Sequence, residues 1–235
     1  MKKLLLAIFC LSTLMLRAQT AEEIVDNYTK SMGGLEAFQK VNTAKMTGVV
    51  NAQGMDFPLT IQIVNNKSMR TDIDVMGQKI VNVYHEGKGW KIDPFNGSGD
   101  VTDVDGAELV ALKAQASLAS GLMNFRNLEN KLELAGEETL DGVKHFKVKM
   151  TNKEDGKTNT YYINSTNWGL AKVASTREIQ GQETEIETLF ADLKDFQGLK
   201  FYMTRTQQAM GQVFQTLNFT NVELNPTIDP KTFDK

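Results

Sequence analysis

Apolar residues recur with two different periods along this chain. Ile24, Val25, Tyr28 and Met32 fall at helical spacing, Thr20 and Glu23 have capping-box spacing, and Gly33-Gly34 stops the run. A short second helix is predicted over Leu35 to Val41. From Phe57 the period drops to two. Phe57, Leu59, Ile61 and Ile63 alternate with Pro58, Thr60 and Gln62, and Met69, Thr71, Ile73 and Val75 alternate with Arg70, Asp72 and Asp74. Ile80 to Tyr84 reads as the next strand. The turn His85-Glu86-Gly87-Lys88-Gly89 leads into Trp90-Lys91-Ile92. Short alternating runs separated by turn residues predict an antiparallel meander.

The pattern breaks at Ala107 to Phe125. That stretch has no Pro, few β-branched residues and a broad stripe of Leu109, Leu112, Ala116, Leu118, Leu122 and Phe125. It predicts one or two helices with Gly121 as a weak point. Strands resume with Phe146, Val148 and Met150. Asp155-Gly156 is a hairpin signal before Thr158 to Ile163, and Leu170–Thr176, Glu183–Phe190, Lys200–Thr206 and Val213–Leu224 follow. One strand sets Ile186, Thr188 and Phe190 against Glu183, Glu185 and Glu187, so one face of the sheet is wet. The other face must be covered. Two helical regions cannot fill a wide curved sheet of roughly ten strands. Part of the apolar face therefore closes on itself or encloses a cavity. No fixed-period repeat or linker interrupts the chain, so 19–235 is expected to form a single domain.

The first eighteen residues read differently. Lys2 and Lys3 precede an apolar run from Leu4 to Leu16 that is too short to span a bilayer and ends near the small residue Ala18. This predicts a signal peptide over 1–18, cleaved after Ala18, and a periplasmic product. Cys10 follows Leu6-Ala7-Ile8-Phe9, and the bulky Phe9 does not suit a lipid-attachment cysteine, so Cys10 reads as one more apolar residue of the signal.

Composition narrows the function. The 235 residues are 41% hydrophobic and 23% charged, which excludes a disordered chain. The formal charge is −3, and loss of Lys2, Lys3 and Arg17 makes the remainder more acidic; nucleic acid is not an expected partner. One Cys and two His cannot build a cysteine zinc site or a three-histidine site. Gly97-Ser98-Gly99 lacks the spacing of a nucleophile elbow. Asp100, Asp103, Asp105 and Gly106 resemble part of a calcium loop, yet its first and twelfth positions are Val101 and Leu112. Asp105 reads instead as a helix N-cap. His85 and His145 lie in no metal motif, and no two carboxylates are marked as a catalytic pair. The expectation is no catalytic residue, no metal, no cofactor, and a protein that is not an enzyme.

Tyr84 to Pro94 reads Tyr-His-Glu-Gly-Lys-Gly-Trp-Lys-Ile-Asp-Pro: a strand, a Gly turn, then Trp-x-x-x-Pro before a loop and helices. That segment resembles the LolA/LolB-like outer-membrane lipoprotein-sorting and carrier proteins. The Gly33-Gly34 helix end agrees with it. So do Gly142 to Phe146, Tyr161-Tyr162-Ile163, and the tail Val222 to Pro226 with Ile228-Asp229 and Phe233. The resemblance spans nearly all of the chain after the signal. It implies an α+β, mainly β fold: a strongly curved antiparallel sheet, an incomplete barrel, with helices covering the concave face. It implies a cavity that shelters acyl chains. An arginine at the cavity edge of the family's carrier has no counterpart here, because the comparable stretch reads Ile63-Val64-Asn65-Asn66-Lys67.

On this basis Leu59, Ile61, Ile73, Val83, Trp90, Phe146, Val148, Phe190, Phe201 and Leu217 are predicted to line the concavity. Leu109, Leu112, Leu118 and Leu122 are predicted to close it as a lid. The leading expectation is a monomeric periplasmic carrier of lipid or lipoprotein acyl chains, working with a membrane-bound donor or acceptor protein. A lipid-sensing or partner-binding envelope module of the same fold and a secreted hydrolase remain the alternatives.

Overall fold

The structure is a computed structural model that describes residues 19–179 and 181–235. The signal peptide, Cys10 and the cleavage point lie outside the described residues. Helix α1 (Ala21–Ser31) starts at a complete capping box: Thr20 Oγ1 accepts from Glu23 N at 3.1 Å, and Glu23 Oε2 accepts from Thr20 N at 3.0 Å. Helix α2 (Leu35–Lys40) follows directly. At the junction, Gly33 has φ +118°, and a Cβ there would sit 2.4 Å from Gly198 O. Only glycine lets the helix end lie this close to the sheet.

Thirteen strands follow. They are β1 (Thr43–Ala52), β2 (Met55–Val64), β3 (Ser68–Val75), β4 (Gln78–His85), β5 (Lys88–Ile92) and β6 (Thr102–Val104), then, after helix α3 (Gly106–Gln115), β7 (Lys131–Leu140), β8 (Val143–Thr151), β9 (Thr158–Asn164), β10 (Leu170–Ile179), β11 (Gln182–Phe196), β12 (Leu199–Ala209) and β13 (Gln212–Leu224). They form one antiparallel sheet in the order β6-β5-β4-β3-β2-β1-β13-β12-β11-β10-β9-β8-β7. Two-residue turns join many neighbours. Glu86-Gly87, Gln197-Gly198 and Met210-Gly211 all have positive φ at both positions, the backbone that matches strand twist in tight hairpins.

The first and last strands, β1 and β13, pair in the middle of the sheet, so its edges are β6 and β7. These two edges are consecutive in sequence. The chain crosses between them through α3 and the segment 116–130. The sheet is open but strongly curved. Leu59 on β2 and Val148 on β8 are seven strand positions apart, roughly 33 Å on a flat sheet at about 4.8 Å per strand. They nevertheless belong to one buried cluster, together with Ile24, Val25, Phe38, Leu122 and Phe201. The fold is mainly β with few helices, an incomplete barrel.

Several local expectations need correction. Of the one or two helices predicted over Ala107 to Phe125, one forms and ends at Gln115, and 116–130 is a chain of turns that starts before Gly121. Strands β1, β6 and β7 are not predicted: β1 and β6 carry no clear alternation, and the short Leu132–Leu134 alternation of β7 breaks at a register shift before Glu137. In β1, Gly48 interrupts the apolar phase because a Cβ there would lie 2.1 Å from Asn218 O, at a bulge against β13. In β7, the edge position leaves Lys131, Glu133 and Glu137 in water. Asp155-Gly156 sits inside a longer loop between β8 and β9 rather than forming a two-residue turn. Asp105 occupies the N-cap of α3 without making a side-chain capping bond.

Candidate functional site

Helix α3 fills only part of the concavity. Leu112 and Ala116 pack with Ile63, Met69, Tyr84 and Val104, and Leu109 joins them, over the β2–β6 half. The β9–β12 half is left partly open. There lies a cavity of about 490 Å³, within the roughly 300–1,000 Å³ usual for ligand sites.

Strand alternation sets much of what faces it, although Lys200, Tyr202 and Thr176, of the opposite phase, reach it as well. On β12, Phe201 and Arg205 line the cavity; on β11, Thr188 and Phe190; on β10, Val173 and Ser175; on β9, Asn159 and Tyr161. Residues of matching phase come together because paired positions share a face: Phe190 lies opposite Arg205, Thr188 opposite Val173, and Val173 opposite Tyr161. Helix α1 adds Tyr28 and Met32, α2 adds Phe38, and the 116–130 segment adds Leu118, Ser120 and Met123. The exposed residues Ala107, Ala111, Asp155, Lys157 and Arg177 mark its mouth, between α3, the β8–β9 loop and β10. Lys113 on α3 reaches Glu154 in that loop, at 2.9 Å to each carboxylate oxygen.

The roof is tied down by one side chain. Asn65 Nδ2 donates to Phe38 O and Val41 O, both at 2.9 Å, and Asn65 Oδ1 accepts from Leu118 N at 3.0 Å. Asn66 N adds a bond to Ala116 O at 2.8 Å. The stretch Asn65-Asn66 thus fastens both α2 and the 116–130 segment to the β2–β3 turn.

The inner wall carries hydroxyls that stay protonated. Burial raises the pKa of Tyr28, Tyr202 and Tyr161, the last to about 12. Tyr202 Oη accepts from Leu170 N at 2.6 Å, and its ring meets Phe190 edge-on at 5.4 Å between centroids. Arg205 lies among them. Its side chain is half-buried, and the surface it retains faces the cavity. Burial lowers its pKa, but a guanidinium remains charged. Its Cζ stands 5.3 Å from the centre of the Phe219 ring, and its Nε has no hydrogen-bond partner. A second hollow of about 350 Å³ adjoins the first across Leu170, Phe190 and Tyr202.

The fourteen residues predicted for the site separate into four groups. Phe190, Phe201 and Leu118 line the cavity. Leu59, Ile61, Ile73, Phe146, Val148, Leu217 and Leu122 belong to the main core, and Leu122 is wholly buried there. Leu109 and Leu112 pack under α3 on the other half of the sheet. Val83 and Trp90 lie elsewhere, in a separate cluster with Val81 and Phe233. They pair with each other and share a face with Arg70, opposite to that of Tyr84. There the C-terminal tail is pinned down: Trp90 Nε1 donates to Phe233 O at 3.1 Å, Arg70 Nη1 donates to Thr232 O at 3.0 Å, and the His85 ring stacks on Phe233.

Tyr28, Phe38, Met123, Tyr161, Val173 and Arg205 also line the cavity and are not assigned to the site from the sequence. Arg205 had a usable signal, since it is in phase with Phe201 and Met203 on a strand whose apolar face is buried.

No protein-family profile matches the chain, and no curated protein does. Solved structures do. A LolA superfamily protein from Nitrosomonas europaea superposes with a TM-score of 0.59 at 12% identity, covering 93% of this chain and 99% of that one. A structure described as an outer membrane lipoprotein-sorting protein domain from Vibrio parahaemolyticus gives 0.60 at 12% identity, covering 91% and 97%. A DUF1329 family protein from Desulfovibrio piger gives 0.59 at 14%, covering 92% and 98%. The chain has a LolA-like fold.

Proposed function

We propose that this protein is an exported carrier that holds lipid or lipoprotein acyl chains in the concave cavity and moves them towards the outer membrane. The observation that carries the reading is the cavity itself. Half of the concave face is packed by α3, while the half walled by Phe190, Phe201, Val173, Phe38 and Leu118 is left accessible. A chain with this many apolar residues could have filled that space, as it does under α3.

The physical case is direct. Burying one CH₂ gains about 0.8 kcal/mol, so a 16-carbon chain gains on the order of 12 kcal/mol in a protein cavity as in a membrane. Transfer between the two is then nearly balanced. Small differences set its direction, which calls for a membrane-bound donor or acceptor protein. No bond need be made or broken, so this reading does not make the protein an enzyme. Export to the periplasm rests on Lys2, Lys3 and the apolar run Leu4 to Leu16; residues 19–235 would be the working domain, acting as a monomer. The likeness of fold to a structure described as a lipoprotein-sorting domain supports the same reading.

Uptake of the neutral fluorescent probe N-phenyl-1-naphthylamine tests it. The mature chain should bind the probe, and Ser175→Trp, which projects bulk into the cavity from β10, should abolish binding without unfolding the sheet. A wild-type protein that takes up no probe would overturn the proposal.

A further inference from the structure

We infer that the cavity takes its ligand as an anion: a single-chain amphiphile whose carboxylate or phosphate monoester headgroup is held by Arg205, with its chain along Phe190, Phe201 and Leu118. The inference rests on the carrier reading and goes further, to the chemistry of the headgroup and its position.

Arg205 is the odd group in an otherwise apolar and hydroxylic wall. Among the described residues it makes no salt bridge and no hydrogen bond, and its Nε is sealed from solvent. Phe219 covers one face of the guanidinium. A ring face accepts no N–H hydrogen bond of the guanidinium plane, and Nε stays without a partner. A half-buried cation without a counter-charge is left for an anion in the cavity to neutralise. A carboxylate or phosphate is the planar or tetrahedral anion its fork fits.

The cavity's charge agrees. Its lining holds Lys157, Arg177, Lys200 and Arg205 against the single acid Asp155, in a chain of formal charge −3. Basic residues have thus been gathered here against the overall balance. Lys157 and Arg177 stand at the mouth, where they attract an anion, while Arg205 lies opposite Phe190 and Leu217 on the inner wall, where it would hold one. The Tyr28, Ser120 and Tyr161 hydroxyls are further neutral donors on the same wall. A ligand with a neutral head would leave the guanidinium as unpaired as it is without one.

The test displaces N-phenyl-1-naphthylamine from the mature protein with three ligands of equal chain length: palmitate, hexadecyl phosphate and 1-hexadecanol. The expected result is that at least one anion displaces the probe at about tenfold lower concentration than the alcohol, or better. Which anion leads distinguishes a fatty acid from a phospholipid-derived ligand. Arg205→Met should erase that advantage and bring the anions level with 1-hexadecanol, while Arg205→Lys should keep part of it. Equal displacement by all three ligands, or an anion preference that survives Arg205→Met, would overturn the headgroup assignment and leave the carrier reading standing. Failure of all three to displace, in a protein that binds no probe, would overturn both.

Discussion

Asn65 Oδ1 accepts a hydrogen bond from the backbone N–H of Leu118 at 3.0 Å, while its Nδ2 holds the carbonyl oxygens of Phe38 and Val41. One amide therefore joins the β2–β3 turn to two separate parts of the cavity roof. Asn65→Ala removes three bonds and leaves three backbone groups to find new partners. At about 1 kcal/mol per bond, the loss should be about 2–3 kcal/mol in urea denaturation. Asn65→Asp keeps the acceptor but sets a carboxylate oxygen against the Phe38 and Val41 carbonyl oxygens, so it should be no more stable than Asn65→Ala.

Leu118 and Leu122 are four residues apart and should behave differently. Leu118 lines the cavity, whereas Leu122 is wholly buried in the core. Leu118→Asp should weaken probe uptake with little change in the denaturation midpoint. Leu122→Ala should cost about 2–5 kcal/mol of stability and leave uptake by the remaining folded protein unchanged. If Leu118→Asp merely unfolds the protein, Leu118 acts as core and not as a lid.

The tail on the convex face should be a stability element and not a binding element. Phe233 is buried against Val81, Val83 and Trp90, far from the cavity lining. Phe233→Ala should lower stability by about 3 kcal/mol, read as a shift in thermal midpoint, with ligand affinity unaltered.

Acid should remove one specific contribution. Glu187 accepts from Lys172 Nζ at 2.6 Å and from Gln208 Nε2 at 2.7 Å, and these bonds hold its pKa below the ordinary 4.5. The folded state therefore favours the ionised form. Its stabilisation is complete at neutral pH and is lost as the pH falls below 4.5 and through the depressed folded value. Glu187→Gln should be less stable than the wild type at pH 7, by about 1 kcal/mol. The two urea midpoints should converge as the pH approaches 3; a gap of constant size would contradict this.

Met210 turns the β12–β13 hairpin at φ +50° and is 92% exposed. An unbranched apolar side chain gains nothing there and carries the strain of left-handed backbone. Met210→Asn should raise stability by about 0.5 kcal/mol or more, measured by thermal unfolding, because Asn tolerates this conformation.

Much of this architecture was legible in the sequence where side-chain period and burial coincide. Leu59 and Ile61 alternate with polar neighbours on β2, and the Thr20–Glu23 capping box fixes the start of α1. Legibility failed where a tertiary demand overrode the local pattern. Gly48 is there for close approach to Asn218, and it hides β1. The register shift between Leu134 and Glu137 cuts the alternation of β7 short. Gln115 ends α3 because the chain must then cross to the far edge of the sheet, although 116–125 remains rich in Ala and Leu. Alternation also says which residues share a face without saying which face is concave. Val83 and Trp90 have a proper apolar phase, yet that phase faces the tail at Phe233. Arg205 was passed over because a charged residue in an apolar phase reads as a break in a pattern and not as part of a site.

Native mass spectrometry of the protein purified from its own cells, followed by organic extraction, tests the proposed carrier function most directly. The expected result is a co-purifying acidic single-chain lipid or an acylated peptide, in a mass shift that disappears on extraction. A protein that is uniformly empty, and that also fails to take up palmitate in vitro, would contradict it.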